Sequence, residues 1–350
     1  MNRIMISVLL ALLVLIAPYE VPENYVLAQR DQQNQFIVGI LRADGTLIPF
    51  AQYGNGGWSN PWPKPRSSAE SIYAESTEVI PNSLEDLAEP WFKQYGKIPR
   101  TWYFWSSAGA PIVLKASKVL KVQAHSGANW ALLTNLPGRT SEDALDNEIG
   151  IASDAKIKVD AMIEVKSNTS EDKNIASFVK DTIKELMEDA ETAEVSRLRG
   201  QQPPPEFPMR QFALTKEERA KIERSITKLY RNKSPVNGEY LYYFEAQKIY
   251  SKAVADANRE CEDISLYRGW ISTPGNDSLG LVDNQLTFTD CSRTGPGPST
   301  PLGIMTLKNR TFLFVKEHGW ESASYMILEL GHSGLHRVLL DGGRLDAVTL

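Results

Sequence analysis

Gly331-His332-Ser333-Gly334 follows a strand-like run, Tyr325 to Leu330. That order invites comparison with a nucleophile elbow, where a serine on a tight turn after a strand attacks a carbonyl. The pattern breaks at Leu335, where the elbow needs a second small residue, and the sole later histidine, His336, comes too soon to serve as a downstream base. His332 and His336 are also types that bind zinc, with His318, Glu317, Glu321 or Glu329 as third ligands. Here the pair straddles a glycine turn rather than sharing one helix face, so spacing alone does not converge their nitrogens. Histidines of surface turns explain the residues as well. With four histidines in 350 residues, the choice of a general base is narrow.

A second chemistry-bearing group is aromatic. Trp58, Trp62, Trp91, Trp102, Trp105 and Trp130 place six of the eight tryptophans in the first 130 residues. Trp58 and Trp62 sit in the Gly/Pro-rich run from Gly54 to Pro63, which reads as irregular structure. Indoles held there at the surface would suit sugar rings or proline-rich peptides; the alternative is that they fill a small β core. No Walker loop or G-x-G-x-x-G occurs, so the chain is expected to need no nucleotide or other cofactor. Net charge is −5, with no Lys/Arg-rich run, which disfavours nucleic acid and anionic membrane surfaces as partners. Asn168, Asn232, Asn276 and Asn309 open glycosylation sequons, as many as chance supplies in a chain of this length.

The amino terminus points to export. Arg3 precedes the apolar run Ile4 to Ala17, and Val26-Leu27-Ala28 before Gln29 has the small-residue form of a cleavage site. A 14-residue run rises about 21 Å as a helix, short of a hydrocarbon core of about 30 Å. No cysteine follows it, so a lipid anchor is not expected. Membrane contact is then limited to export or to an uncleaved N-terminal anchor. In an exported chain the two cysteines, Cys261 and Cys291, are expected to form one disulfide. Closing a loop of about 31 residues would stabilise the fold by about 3–4 kcal/mol in the loop-entropy model.

The elements that must position these groups are mostly strands. Phe36 to Leu41 and Leu47 to Phe50 flank an Asp44-Gly45 hairpin turn, and strands are expected at Thr101–Trp105, Ile112–Leu114, Val119–Ala124 and Asn129–Leu133. Ser83 to Leu87 could open a helical turn before Pro90. Apolar residues at Ile175, Phe178, Val179, Ile183, Leu186, Met187 and Ala190 give helical spacing over Asp172 to Leu198, stopped by Gly200 and Pro203-Pro204-Pro205. Thr215 and Glu218 form a capping-box pattern. The helix it opens is expected to carry Ile222, Ile226, Leu229 and Tyr230 along one side and to end before Pro235. From Glu239 onward short strands alternate with turn signals at Asp283-Asn284, Lys308-Asn309, His318-Gly319 and Gly331–Gly334. The His-Ser-Gly stretch Ala124–Leu133 also parallels Gly331–Leu340, which reads more simply as two similar hairpins than as a duplicated module.

The expected fold is mainly β (α+β). An N-terminal β region and a C-terminal antiparallel meander, closing as a sandwich or barrel, are joined by two helices. The expected organisation is a signal peptide at 1–28, a Trp-rich β region at 29–168, a helical connector with a Pro-rich linker at 169–236 and an antiparallel β domain with the disulfide at 237–350. The expected function is a secreted or periplasmic, non-catalytic binding or envelope-associated protein, with polysaccharide or an envelope protein as partner. The competing expectation is a secreted hydrolase whose residues are dispersed in sequence, and a third is an assembly subunit using an unpaired sheet edge.

Overall fold

The computed structural model describes residues 35–61, 81–82, 99–105, 110–124, 127–138, 148–165, 170–200, 210–233, 240–250, 262–273, 280–290, 299–318, 322–331, 334–339 and 345–346. The expected leader, Ser83–Leu87, the triple proline, Trp62, Trp91, His125, His332, Cys261 and Cys291 lie outside the described residues.

The protein is β-rich, as its residue pattern predicts, and it begins with a closed barrel. β1 (Phe36–Arg42) and β2 (Thr46–Gly54) form the first hairpin. Its turn is fixed by Asp44, whose Oδ1 accepts from Thr46 N at 2.9 Å and Thr46 Oγ1 at 2.6 Å. Gly45 takes φ 83°, and a Cβ there would lie 2.7 Å from the carbonyl oxygen of Leu136. β5 (Thr101–Trp105), β6 (Pro111–Ala124), β7 (Gly127–Thr134) and β8 (Glu148–Ser153) complete the wall. The order is β1-β8-β5-β6-β7-β2, and β2 pairs back to β1, closing six strands on themselves. β4 (Pro81–Asn82) adds to β6. Closure removes the exposed edges that an open sheet leaves unpaired.

The barrel interior is apolar: Ile37, Leu41, Leu47, Trp102, Leu114, Ala116, Leu132 and Ala152 pack as one cluster, drawn from all six strands. Trp102 is fully buried, and its indole N–H donates to Pro99 O at 2.9 Å.

The described part of the Gly/Pro-rich run, Gly54–Pro61, is more regular than its composition suggests. Asn55 (φ 51°) and Gly56 (φ 77°) form a two-residue turn, and β3 (Gly57–Ser59) pairs back to β2. Asn-Gly is the favoured pair for a turn with both φ values positive. Composition argued for a loop, but the turn dipeptide decided the structure.

After the short strand β9 (Ile163–Glu164) comes α1 (Ser170–Arg199), the long helix its spacing predicts. It buries Val179, Ile183, Met187, Glu191 and Val195, every fourth residue, while Phe178 stays half exposed. Two short helices follow, α2 (Arg210–Ala213) and α3 (Lys216–Ala220). The Thr215 capping box is present in both directions, with Glu218 N donating to Thr215 Oγ1 at 3.2 Å and Thr215 N to Glu218 Oε2 at 2.8 Å. The helix stops there. Ile226, Leu229 and Tyr230 belong to the strand β10 (Arg224–Lys233), which corrects the expected helical continuation to Tyr230. Its β-branched and aromatic residues pair with β11 across nine positions, and that ladder outweighs a spacing compatible with either state.

β11 (Tyr240–Tyr250), β12 (Asp263–Thr273) and β13 (Gly280–Asp290) extend this into a sheet ordered β13-β12-β11-β10-β9. Asp283 and Asn284, expected as a turn, sit within β13 opposite Trp270 and Gly269. Pairing with β12 along the whole strand overrides the local turn preference. A second meander, β14 (Ser299–Leu307), β15 (Arg310–His318), β16 (Ser322–Gly331) and β17 (Gly334–Leu339), forms the last sheet, with β18 (Leu345–Asp346) beside β16. Lys308 and Asn309 make its first turn with positive φ, as expected. Both His-Ser dipeptides fall between paired strand ends, Ala124 with Gly127 and Gly331 with Gly334.

These parts stack in four layers, and strand alternation sets the order. Phe312, Phe314, Tyr325 and Ile327 face the barrel and join Val38, Ile40, Ile48, Phe50 and Tyr53 in one core. Leu313, Val315 and Met326, on the opposite face of the same strands, meet Leu241, Tyr243 and Trp270 of the other sheet. Tyr242, Phe244 and Ala246 then face away, onto Val179, Ile183 and Met187 of α1. The sequence of layers is barrel, β14–β17 sheet, β9–β13 sheet, helix. Each fully buried Val, Ile or Met contributes about 1.5–3 kcal/mol relative to exposure.

Candidate functional site

Charged side chains occupy apolar positions at every boundary in this stack. Each of three buried glutamates accepts from one tyrosine hydroxyl and pairs with one lysine. Between the barrel and the adjoining sheet, Glu148 of β8 meets Lys316 Nζ at 2.7 Å and the Tyr325 hydroxyl at 2.8 Å. Between the two sheets, Glu245 of β11 accepts from the Tyr243 hydroxyl at 2.7 Å and pairs with Lys228 Nζ at 3.3 Å. Beneath α1, Glu191 meets Lys248 Nζ at 2.5 Å, Ser265 Oγ at 2.6 Å and the Tyr250 hydroxyl. Burial, reinforced by the neighbouring glutamate, pushes all three phenols well above their ordinary range. They stay protonated and serve as donors.

The Glu245 cluster reaches the solvent. Ser299 N donates to Glu245 Oε1 at 2.8 Å, which ties β14 to β11 across the sheet interface. Arg268 donates to Ser299 Oγ at 2.8 Å and to Gln285 Oε1 at 2.7 Å. Glu317 Oε1 lies 3.9 Å from the same guanidinium, and Thr300 Oγ1 lies 3.1 Å from His318 Nε2. Lys228 and Glu317 are partly exposed at the rim, while Tyr243 and Glu245 are buried at its base.

A second convergence involves two residues singled out from sequence. Trp58 is half-buried, its ring edge-on to Phe36, Tyr53, Phe312 and Phe314 at 5.1–5.9 Å. It joins the core between barrel and sheet, and its indole N–H is buried without a partner. Arg310 locks this hairpin down. It grips Glu329 through two bonds of 2.6 and 2.7 Å, donates to Gly56 O at 2.5 Å and lies over the Phe312 ring. That contact holds the Glu329 carboxyl below its usual range, with His336 adding to the effect. His336 is exposed on β17 directly opposite Glu329. β3, which carries Trp58, lies against β17, which carries His336, so two residues far apart in sequence share one seam. Trp62 and His332 lie outside the described residues.

Among the described residues no group of three or more His, Cys, Asp or Glu side chains converges as a metal site, and no helix is long and apolar enough to cross a membrane. Sequence reasoning missed Glu148, Glu191, Glu245, Lys248 and Lys316. A signal existed: Glu191 falls four residues from both Met187 and Val195 on the buried stripe of α1. Glu245, Lys248 and Lys316 interrupt otherwise apolar strands. Comparison with family models, curated proteins and solved structures finds no match to this chain.

Proposed function

We propose that this is an exported, non-catalytic binding or envelope-associated protein, secreted or periplasmic, with polysaccharide or an envelope protein as its partner. The leader-like start, with Arg3, the apolar run to Ala17 and Val26-Leu27-Ala28, supports export. The observation that carries the binding role is the seam of β3 and β17. There Trp58, anchored in the core, and Arg310, clamped by Glu329, make a rigid base beside the exposed His336. A preorganised base lowers the entropy lost on contact. Buried charges elsewhere tie layers together, which suits a scaffold that presents surfaces.

Export supports a disulfide between Cys261 and Cys291. Asp263 and Asp290 are paired at the end of the β12–β13 hairpin. Cys291 follows Asp290 directly and Cys261 precedes Asp263 by two residues, so in sequence the two cysteines flank that paired end. Alkylation of the denatured protein should label neither cysteine before reduction and both after it. N-terminal sequencing of the exported protein should begin at Gln29. For the binding role, the mature protein should be retained on cell-wall polysaccharide or on a purified envelope protein. His336→Ala should weaken retention tenfold or more, with unchanged unfolding. Equal retention of that variant would remove the seam from the proposal.

A further inference from the structure

Under α1 the polar side chains do not all balance. Arg219 of α3 is 4% exposed, and Gln211 of α2 is fully buried. One terminal nitrogen of Arg219 donates to Leu214 O at 2.8 Å and to Gln211 O at 3.3 Å. Its Nε has no partner, and neither atom of the Gln211 side-chain amide has one. No carboxylate pairs with this guanidinium among the described residues. Glu191 is taken by Lys248, Tyr250 and Ser265, and Lys248 also donates to Arg219 O at 3.2 Å. Asp263, on the same face of β12 as Ser265, has a partner of its own.

A buried cation with neutral oxygens on one nitrogen and an orphaned donor on another is costly, because the desolvated charge is only partly compensated. A buried amide with both ends free adds a further unmet donor. The donors at issue, a guanidinium Nε–H and an amide N–H, are types that hydrogen-bond anions, the charged one more strongly. Burial of both side chains limits the ligand to something small, which leaves out sugars, nucleotides and peptides.

We propose that Arg219 and Gln211, buried where α2 and α3 pack beside α1 and β12, bind a small monovalent anion, chloride, with Arg219 Nε and the Gln211 amide nitrogen as donors. The site stands apart from the β3–β17 seam and is independent of the binding role proposed there. Its consequence is that folding of this layer is linked to chloride, since a ligand bound only by the folded state stabilises it by mass action.

The test is thermal unfolding of the full mature chain at constant ionic strength, with chloride replaced stepwise by gluconate, a much larger anion. The midpoint should rise by about 2–4 °C for each tenfold increase in chloride above the dissociation constant. Gln211→Leu, which keeps the side-chain volume, should abolish that dependence. A second measurement needs no variant: crystals grown in bromide should carry an anomalous peak beside Arg219 Nε. Unchanged midpoints in chloride and gluconate, a response retained in Gln211→Leu, or bromide-containing crystals without a peak there would each overturn the proposal.

Discussion

The barrel interior and the layer beneath α1 are equally shielded from water and built on opposite chemistry. The barrel holds Leu47, Trp102, Leu114 and Leu132, and the Trp102 indole N–H is satisfied by the Pro99 carbonyl. The helix layer holds Val179, Ile183 and Met187, but its stripe continues into Glu191, with Lys248, Tyr250 and Ser265 around it. The difference follows from what fixes each part. A closed barrel has its strand register set by its own hydrogen-bond ladders, so the interior needs only shape. A helix lying on a sheet has no ladder to the sheet and can slide along apolar ridges. One ion pair in the seam, with hydroxyls in place around it, penalises every other position. Buried ions do not raise stability in general, but they can specify one arrangement.

Breaking the polar seam should have the largest effect. Lys248→Met leaves the Glu191 carboxylate buried without its cation, and urea unfolding should register a loss of about 3–5 kcal/mol. In the barrel, Leu114→Ala should cost about 2–4 kcal/mol through lost transfer energy and a cavity. That loss should be the same at pH 5 and pH 8, since the described side chains that cluster with Leu114 are apolar. Both effects should appear in equilibrium denaturation followed by far-UV circular dichroism.

A smaller change of opposite sign sharpens the contrast at the barrel's own seam. Asp154 accepts from Ile37 N at 2.7 Å, and burial nonetheless raises its carboxyl from 3.8 to about 6. Between those values the folded protein holds a proton that the unfolded chain has released. Stability from this group is therefore present below pH 4 and lost as pH rises through 6. Asp154→Asn keeps an acceptor for Ile37 and should gain about 2–3 kcal/mol at pH 7 and less than about 1 kcal/mol at pH 4. A variant that gains equally at both pH values would place the effect elsewhere. The smallest expected change is at the half-exposed Arg310–Glu329 pair, where Arg310→Gln should cost about 1 kcal/mol or less and depend on salt.

Local chemistry was legible where neighbours in sequence decide structure. The Asp44-Gly45 hairpin, the period of α1 and the Thr215–Glu218 capping box each depend on residues within a few positions. Elements decided by distant pairing were harder to read. Ile226, Leu229 and Tyr230 fit a helix face or a strand equally well until β11 is placed beside them. Asp283-Asn284 has turn chemistry, yet lies paired within β13. The stack order was invisible because it rests on contacts such as Lys316 with Glu148 and Arg310 with Gly56, between residues far apart in the chain. Of the site residues anticipated, Trp58 and His336 share a seam, with the indole facing the core and the imidazole facing out.

The direct test of the contrast is a double-mutant cycle on Glu191→Leu and Lys248→Met, measured by urea unfolding at pH 7. If the pair fixes the helix on the sheet, each single variant strands a buried charge, and the double variant loses less than their sum by at least about 2 kcal/mol. Amide exchange in α1 should then be faster in the double variant than in the parent, as the helix loses its fixed position on the sheet. Losses that add to within about 0.5 kcal/mol, with unchanged exchange in α1, would contradict the account.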